Sequence, residues 1–259
     1  PPDGHAAPVI GGGAVPEGSW RDCAAVLFDN LQGCTGVLIA PTVVMTAGHC
    51  VDTSLNAVLI GTNSLARPGA GETINVSRQA GFPGDKYDVA LLILEHPSTM
   101  PVRKLATGWV QSEVADGARV EFVGYGAVDR DANTYIDELQ QAESTITDFD
   151  CSRRAGCDPA ARPAGEIGAG GAGIDTCPGD SGGPMYLLTA YGEFLAGITS
   201  RGYDDNQFEC SEGGIYTRPD KAEIVAWVEQ EAGVYLTDGR GPTGDDMTIA
   251  VGGSEHQRL

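Results

Sequence analysis

The sequence predicts an all-β protein made of two consecutive units of roughly 100 residues each, followed by one helix. Three features carry this reading. Short apolar runs recur about every ten residues with turn residues between them, the texture of a sandwich or barrel. The chain has 37 glycines and 15 prolines, a mix that favours turns over helical bundles. Only one stretch, near the C-terminal end, has clear helical periodicity.

In the first unit, Ala24–Phe28, Thr35–Ala40, Val43–Thr46, Ala57–Ile60, Thr73–Val76 and Val89–Leu94 read as strands. Asn30, Pro41, Gly61, Pro68-Gly69 and Pro83-Gly84 punctuate them. Pro97–Val114 reads as a connector. The strand texture resumes at Arg119–Tyr125, Glu138–Ile146, Met185–Leu188, Phe194–Thr199 and Gly214–Thr217. Pro219–Ala232 has Ile224, Trp227 and Val228 on one side of a helix, and Gly233 supplies a stop. Val234–Leu259 is rich in Gly and Asp, lacks periodicity, and reads as a loosely held extension.

Composition narrows the function. The 259 residues are 41% hydrophobic and 20% charged, an ordinary globular balance. Sixteen Lys and Arg against 36 Asp and Glu give a net charge of −20. So acidic a surface repels phosphate backbones and anionic lipid heads, which argues against nucleic acid and membrane-surface partners. It should instead draw in cationic peptides, although solubility or salt adaptation accounts for such a charge as well. No apolar run approaches the roughly 18 residues of a membrane span. Residues 1–8 contain no apolar signal core. The seven cysteines form no CxxC pair and the four histidines no HExxH, so a metal site is not expected. Scattered cysteines in a loop-rich chain instead fit disulfides and an oxidising compartment, with an odd one left over.

The segment from Asp175 to Pro184, DTCPGDSGGP, points to chemistry. A serine between glycines on a tight turn can present its hydroxyl outward while backbone N–H groups converge beside it. That hydroxyl is a weak nucleophile unless a base takes its proton, and the oxyanion formed on attack needs preorganised donors. Candidates for the base and its orienting acid stand at strand ends: His49 in Thr46-Ala-Gly-His-Cys50, and Asp88 in Tyr87-Asp-Val-Ala-Leu-Leu-Ile-Leu94. GxGxxG spacing also occurs at Gly168–Gly173. No helix is expected after it, so it reads as a flexible loop rather than a dinucleotide site. Asn75-Val-Ser77 is a formal glycosylation sequon.

TAGHC, DVALLIL and GDSGGP, in that order and at comparable spacing, resemble the chymotrypsin-like serine proteases, and more closely their trypsin branch. The resemblance covers roughly Val9 to Ala232. It implies two antiparallel six-stranded β-barrels packed side by side, with the site in the cleft and a C-terminal helix. On this reading residues 1–8 are a propeptide-like segment and 9–233 the protease domain. Its barrels occupy about 9–110 and 111–218 and its helix 219–232, with 234–259 as an extension. Ser181 would be the nucleophile, His49 the general base and then acid, and Asp88 the group holding the imidazole's tautomer. The Gly179 and Ser181 amides would form the oxyanion hole. Asp175 matches the floor of the primary pocket, where a carboxylate pairs with substrate Arg or Lys. Gly202 and Gly214 match the pocket walls, Ser200 the residue lining the substrate strand, and Thr176 a usual Ser or Ala.

The resemblance also implies disulfides Cys34–Cys50 and Cys177–Cys210 and a shortened local bridge Cys151–Cys157. Cys23 lacks a mate and lies on a predicted strand, so it reads as a buried inert thiol. Val9-Ile-Gly-Gly12 resembles a mature N-terminus whose freed amine pairs with Asp180. Pro8 precedes it instead of Arg or Lys, so the chain would be a precursor or be trimmed by a different protease. Other departures are Pro178 for a common Gln and Arg201 for an aromatic beside the pocket mouth. The loop Gly202–Cys210 is long and acidic, and is expected to be exposed. Thr62 stands where calcium-binding relatives carry a carboxylate, so neither calcium nor any organic cofactor is expected. The expected protein is a secreted or periplasmic monomeric endopeptidase, cleaving polypeptides after Arg or Lys and open to protein protease inhibitors as partners. The alternatives are a catalytically silent binding module on the same fold, and a protease preferring small or apolar residues.

Overall fold

The computed structural model describes residues 8–236. The expectations for residues 1–7 and for the extension from 237 to 259 lie outside the described residues. Strand β1 (Gly13–Ala14) precedes β2 (Cys23–Phe28), β3 (Leu31–Ala40), β4 (Val43–Thr46), β5 (Leu55–Ile60), β6 (Glu72–Gly81) and β7 (Ala90–Leu94). The last six close into an antiparallel barrel in the order β2-β3-β4-β7-β6-β5. A second set follows: β8 (Arg119–Gly124), β9 (Gln140–Asp148), β10 (Glu166–Ala169), β11 (Pro184–Thr189), β12 (Gly192–Gly202) and β13 (Gly214–Thr217). These pair in the order β9-β10-β13-β12-β11-β8, and β8 returns to β9, so the second barrel also closes with six strands. Strand β1 is added outside it on β9.

Strands β2, β4, β5 and β7 of the first barrel read as apolar runs because both of their faces are buried. Along β2, Ala24 and Val26 point into the barrel with Leu38, Val44, Val58 and Leu92. The alternate residues Cys23, Ala25 and Leu27 join a cluster shared with Tyr125, Tyr186 and Leu195 of the second barrel and Ile224 and Val228 of the helix. The period of two is kept, but both sets are apolar. Cys23 is therefore a free thiol at the barrel seam, and burial pushes its pKa well up.

One polar cluster crosses the seam. Asp22, 1% exposed, accepts from Arg103 Nε at 2.9 Å and Nη2 at 2.7 Å, and from Tyr186 Oη at 2.7 Å. Trp20 stacks on Tyr186 with centroids 4.4 Å apart, and Arg103 lies 4.6 Å from the Tyr186 ring. The connector between the barrels, which supplies Arg103, also forms a 3₁₀ turn at Gly108–Glu113.

The helix is shorter than its sequence pattern, running Ala222–Ala232, because Pro219 to Lys221 form the turn into it. Gly233 ends it in the left-handed region (φ 64°), with its N–H returning to Glu229 O at 3.0 Å. Ile224 and Val228 are buried, whereas Trp227 is only partly covered, edge-on to Phe82 at 5.2 Å. A further correction to the sequence reading concerns the glycine-rich loop. Gly168 and Ala169 belong to β10, paired with β9 and β13, so that loop begins only at Gly170. In the Gly202–Cys210 loop, Asp204, Asp205 and Glu209 are exposed as expected, while Tyr203 is buried and Arg154 clamps Asp205 at 2.7 Å and Asn206 at 2.9 Å.

Candidate active site

His49 sits in a 3₁₀ turn, Gly48–Cys50, where the chain leaves β4. Asp88 stands just before β7, the strand paired with β4. Adjacent strands thus deliver the two side chains to the same barrel end. His49 Nδ1 lies 2.9 Å from Asp88 Oδ2, and the His49 backbone N–H donates to Oδ1 at 2.9 Å. The carboxylate thereby fixes both ring and backbone, leaving Nε2 as the free ring nitrogen. Ser200 Oγ donates to Oδ2 at 2.6 Å. Burial alone would raise the Asp88 pKa, but the hydrogen bonds and charge of His49, with the Ser200 bond, outweigh it and hold the carboxyl below its usual range. The preceding loop is braced by the helix, since Tyr87 Oη donates to Glu223 at 2.5 Å and Lys86 Nζ pairs with the same carboxylate at 2.7 Å.

Ser181 comes from the second barrel but is held by the first. Thr35 N on β3 donates to Ser181 O at 2.8 Å. Gly179 O accepts from Thr35 Oγ1 at 2.9 Å and Gln32 Nε2 at 3.0 Å. Cys50 Sγ, one residue from His49, lies 3.7 Å from Ser181 O. Gly182 allows this approach: its φ is +80°, and a Cβ there would come within 2.0 Å of Thr46 Oγ1 and 2.4 Å of Thr35 O. The alternate amides of the turn are engaged, Asp180 N with Cys177 O at 2.9 Å and Gly182 N with Thr199 O at 2.8 Å. Among the described residues, the Gly179 and Ser181 N–H groups have no internal acceptor, so both are available to an oxyanion.

Asp180 points inward. It is fully buried, taking Gly126 N at 2.7 Å and Cys177 N at 2.9 Å, and burial raises its pKa to about 7. Val9 is buried in the second barrel's core cluster, and Ile10 O accepts from Asp175 N at 3.2 Å. The N-terminal segment thus runs beside residues 175–177. No hydrogen bond joins Val9 to Asp180 among the described residues, and here Val9 N is a peptide amide following Pro8.

Asp175 is 2% exposed. Its Oδ2 accepts from Gly213 N at 2.9 Å and Glu212 N at 3.1 Å, and its Oδ1 from Thr176 N at 2.8 Å. Burial raises its pKa to about 6 despite these donors. Thr176 Oγ1 is 3.0 Å from Tyr216 Oη, which tethers the neighbouring residue. A side chain on Gly214 would reach toward Asp175, its Cβ lying 3.6 Å from Oδ1. At Gly202 the added Cβ would meet Asn206 Nδ2 at 3.1 Å, so the long loop supplies a side chain against that wall. The bridges Cys34–Cys50, Cys151–Cys157 and Cys177–Cys210 are all formed. Because Cys34 and Cys50 are bonded to each other, their proximity to His49 offers no thiolates for a metal. Cavities of about 350 Å³, beside His49 and Asp85, and about 590 Å³, beside Gly179, Leu31 and Tyr135, flank the site.

Two contributions have no signal in the sequence. The hydroxyl of Ser200, matched by resemblance only to a substrate-lining position, bonds Asp88 directly. Arg201 turns from the pocket mouth to Glu166, with Nη2 2.8 Å from Oε1. Neither partner is near in sequence, so no local pattern announces them.

The trypsin family profile matches residues 9–228, and the chain belongs to that family. Glucanase inhibitor protein 4 of Phytophthora infestans is 36% identical over 208 residues, covering 75% of this chain and 79% of that protein. A trypsin-like protease of Streptomyces glaucescens is 34% identical over 196 residues, covering 72% of this chain and 70% of that one. Human serine protease 56 is 30% identical over 86% of this chain, which spans only 38% of its length. Among solved structures, mouse neuropsin, a serine protease expressed in the limbic system, superposes with a TM-score of 0.71 at 25% identity, covering 85% of this chain and 98% of its own.

Proposed function

We propose that the protein is a serine endopeptidase that cleaves polypeptides after Arg or Lys through an acyl-enzyme. The observation that carries this reading is the His49–Asp88 pair at 2.9 Å beside a serine turn with two unengaged amides. Ser181 Oγ attacks the substrate carbonyl carbon as His49 Nε2 takes its proton. The Gly179 and Ser181 N–H groups receive the oxyanion, and Asp88 stabilises the protonated imidazole. Collapse breaks the C–N bond, and His49 returns the proton to the departing amine. A water molecule, deprotonated by His49, then cleaves the ester, releasing the carboxylic acid and restoring the serine. No step calls for a metal or an organic cofactor.

Asp175 supports the choice of substrate. A buried carboxylate fixed by three backbone amides is preorganised for a guanidinium or ammonium entering between Gly202 and Gly214. Full competence would follow release of Val9 as a free amine that reaches Asp180, with residues 1–8 as the segment removed. Three disulfides support a secreted protein, and no described helix is long and apolar enough to cross a membrane. Protein protease inhibitors are its expected regulators.

A second reading, binding of a partner enzyme without catalysis, draws on the similarity to two glucanase inhibitor proteins of Phytophthora infestans. Treatment with a phosphonylating reagent separates the readings. Labelling at Ser181 that His49→Ala abolishes is expected for the protease. An unlabelled chain, with its N-terminus trimmed to Val9, that captured a glucanase would favour the second reading.

A further inference from the structure

We infer that Arg201 is a positioning residue for the Asp88–His49 pair, acting through the hydroxyl of Ser200. This inference rests on the protease reading above. The contacts form one directed chain. Glu166, on β10 and 3% exposed, forms an ion pair with Arg201, its Oε1 lying 2.8 Å from Nη2, and its Oε2 accepts from the Asp158 N–H at 2.7 Å. Gly156 O, within the Cys151–Cys157 loop, accepts from Arg201 Nη2 at 2.7 Å and Nε at 3.1 Å. With two edges of the guanidinium so held, Nη1 donates to Ser200 Oγ at 2.9 Å, and Ser200 Oγ donates to Asp88 Oδ2 at 2.6 Å.

The direction of this chain follows from donor chemistry. A guanidinium has five N–H donors, no acceptor, and keeps its proton at any working pH. Ser200 Oγ must accept from it, so the single hydroxyl hydrogen is left for Asp88. An apolar residue at position 201 would leave the hydroxyl aligned by Asp88 alone, without the donor that fixes its lone pairs from the other side. Arg201 thus fixes which lone pair of Asp88 Oδ2 is taken by Ser200, and which remains for His49 Nδ1. Its charge acts on the same pair: a cation two hydrogen bonds from Asp88 opposes a second positive charge on the imidazole, and Glu166 offsets it.

The elements flanking Asp88 and His49 also carry Asp85 and Lys86 on the same loop and Glu223 on the helix. Lys86 is engaged by Glu223 at 2.7 Å, and Asp85 lines the cavity beside His49. Near Arg201, Arg154 is taken by Asp205 at 2.7 Å, so it does not compete for Glu166. Arg201 is the cation that reaches the Ser200 hydroxyl.

The test compares the protein trimmed to Val9 with its Glu166→Gln, Arg201→Gln and double variants, measuring kcat, KM and the pH profile of kcat/KM on a small Arg ester. Glu166→Gln bares the cation, so the acid limb should move to lower pH. Arg201→Gln should move it to higher pH and lower kcat roughly tenfold with little change in KM. Arg201→Lys should recover part of the loss. The double variant avoids a buried unpaired carboxylate; it should fold, bring the acid limb back toward the native position, and keep the kcat loss. Limbs that stay put, or move the same way in both single variants, would overturn the inference, as would a native kcat in the double variant.

The proton NMR signal of the His49 Nδ1–H bond to Asp88, followed in all four proteins, reads the inference without turnover. If the protein trimmed to Val9 neither hydrolyses esters nor takes a phosphonyl label, yet this signal moves in opposite directions in the two single variants, the protease reading fails and the positioning role stands. If all four spectra coincide, the positioning role fails whatever the activity.

Discussion

The two barrels hold their parts of the site by different means. The first presents His49 and Asp88 from the ends of the paired strands β4 and β7, both packed in apolar residues on their two faces. The second presents Ser181, its amides and the Asp175 slot from loops. These are anchored by the Cys177–Cys210 bridge, by glycine, and by carboxylates that are buried without a cation among the described residues. Burial raises Asp175 to about 6 and Asp180 to about 7, whereas Asp88 of the first barrel, bonded to His49 and Ser200, is held low. His49 and Asp88 are therefore set by paired strand ends. Ser181 and Asp175 stand on loops beside buried carboxylates whose pKa values burial raises.

The largest effects should come from breaking the contribution of either barrel. Ser181→Ala and His49→Ala should each lower kcat by on the order of 10⁴ or more. Thermal stability should barely move with Ser181→Ala, because the bonds that hold residue 181 use its backbone. Active-site titration with parallel thermal denaturation checks both statements.

Asp175→Ser sharpens the difference, since it removes a buried charge from the loop-built half alone. Discrimination for Arg over a neutral analogue should fall by about 10⁴, read from the two kcat/KM values. In the native protein, KM for an Arg substrate should climb as pH falls below about 6, where the Asp175 carboxyl takes up its proton. A profile of KM that is flat between pH 7 and 5 would contradict this assignment.

The seam between the halves should respond next. Asp22→Ala leaves Arg103 without its buried partner, and chemical denaturation should report a loss of about 3–5 kcal/mol. The smallest effect concerns Glu121 of the second barrel, which burial, with Glu143 opposite it on β9, pushes up to about 7. Its folded pKa lies above the unfolded one, so the folded state binds more protons between the two. Its contribution is therefore full below about pH 4.5 and is lost as pH rises through about 7. Glu121→Gln should stabilise the protein by about 1–3 kcal/mol at pH 8 and change little at pH 4.5. Melting curves at the two pH values measure it.

What is legible in the amino-acid sequence follows the same division. The strands of the first barrel announce themselves because Ala24–Phe28 and Val89–Leu94 bury both faces. The three motifs around His49, Asp88 and Ser181 stand out by their local backbone needs. Strand β10 does not: Glu166–Ala169 is four residues beside a run of glycines, and only its pairing with β9 and β13 makes it a strand. The direction taken by Arg201 is hidden for a similar reason. Its partners Gly156 and Glu166 lie tens of residues away, and a long basic side chain beside a cleft suggests solvent until the buried carboxylate is seen. Asp175 is a pocket candidate by its position alone, but its raised pKa depends on a buried setting, and its anchoring on donors from Gly213 and Glu212, that only the fold assembles.

The most direct test of the proposed activity is digestion of a proteome-derived peptide library, with mass spectrometry reading the cut sites and the protein's own N-terminus together. The expected result is cuts after Arg and Lys, abolished by Ser181→Ala and redistributed by Asp175→Ser, from a chain that begins at Val9. Cuts indifferent to the Asp175 substitution, or no cuts from a chain already trimmed to Val9, would contradict it.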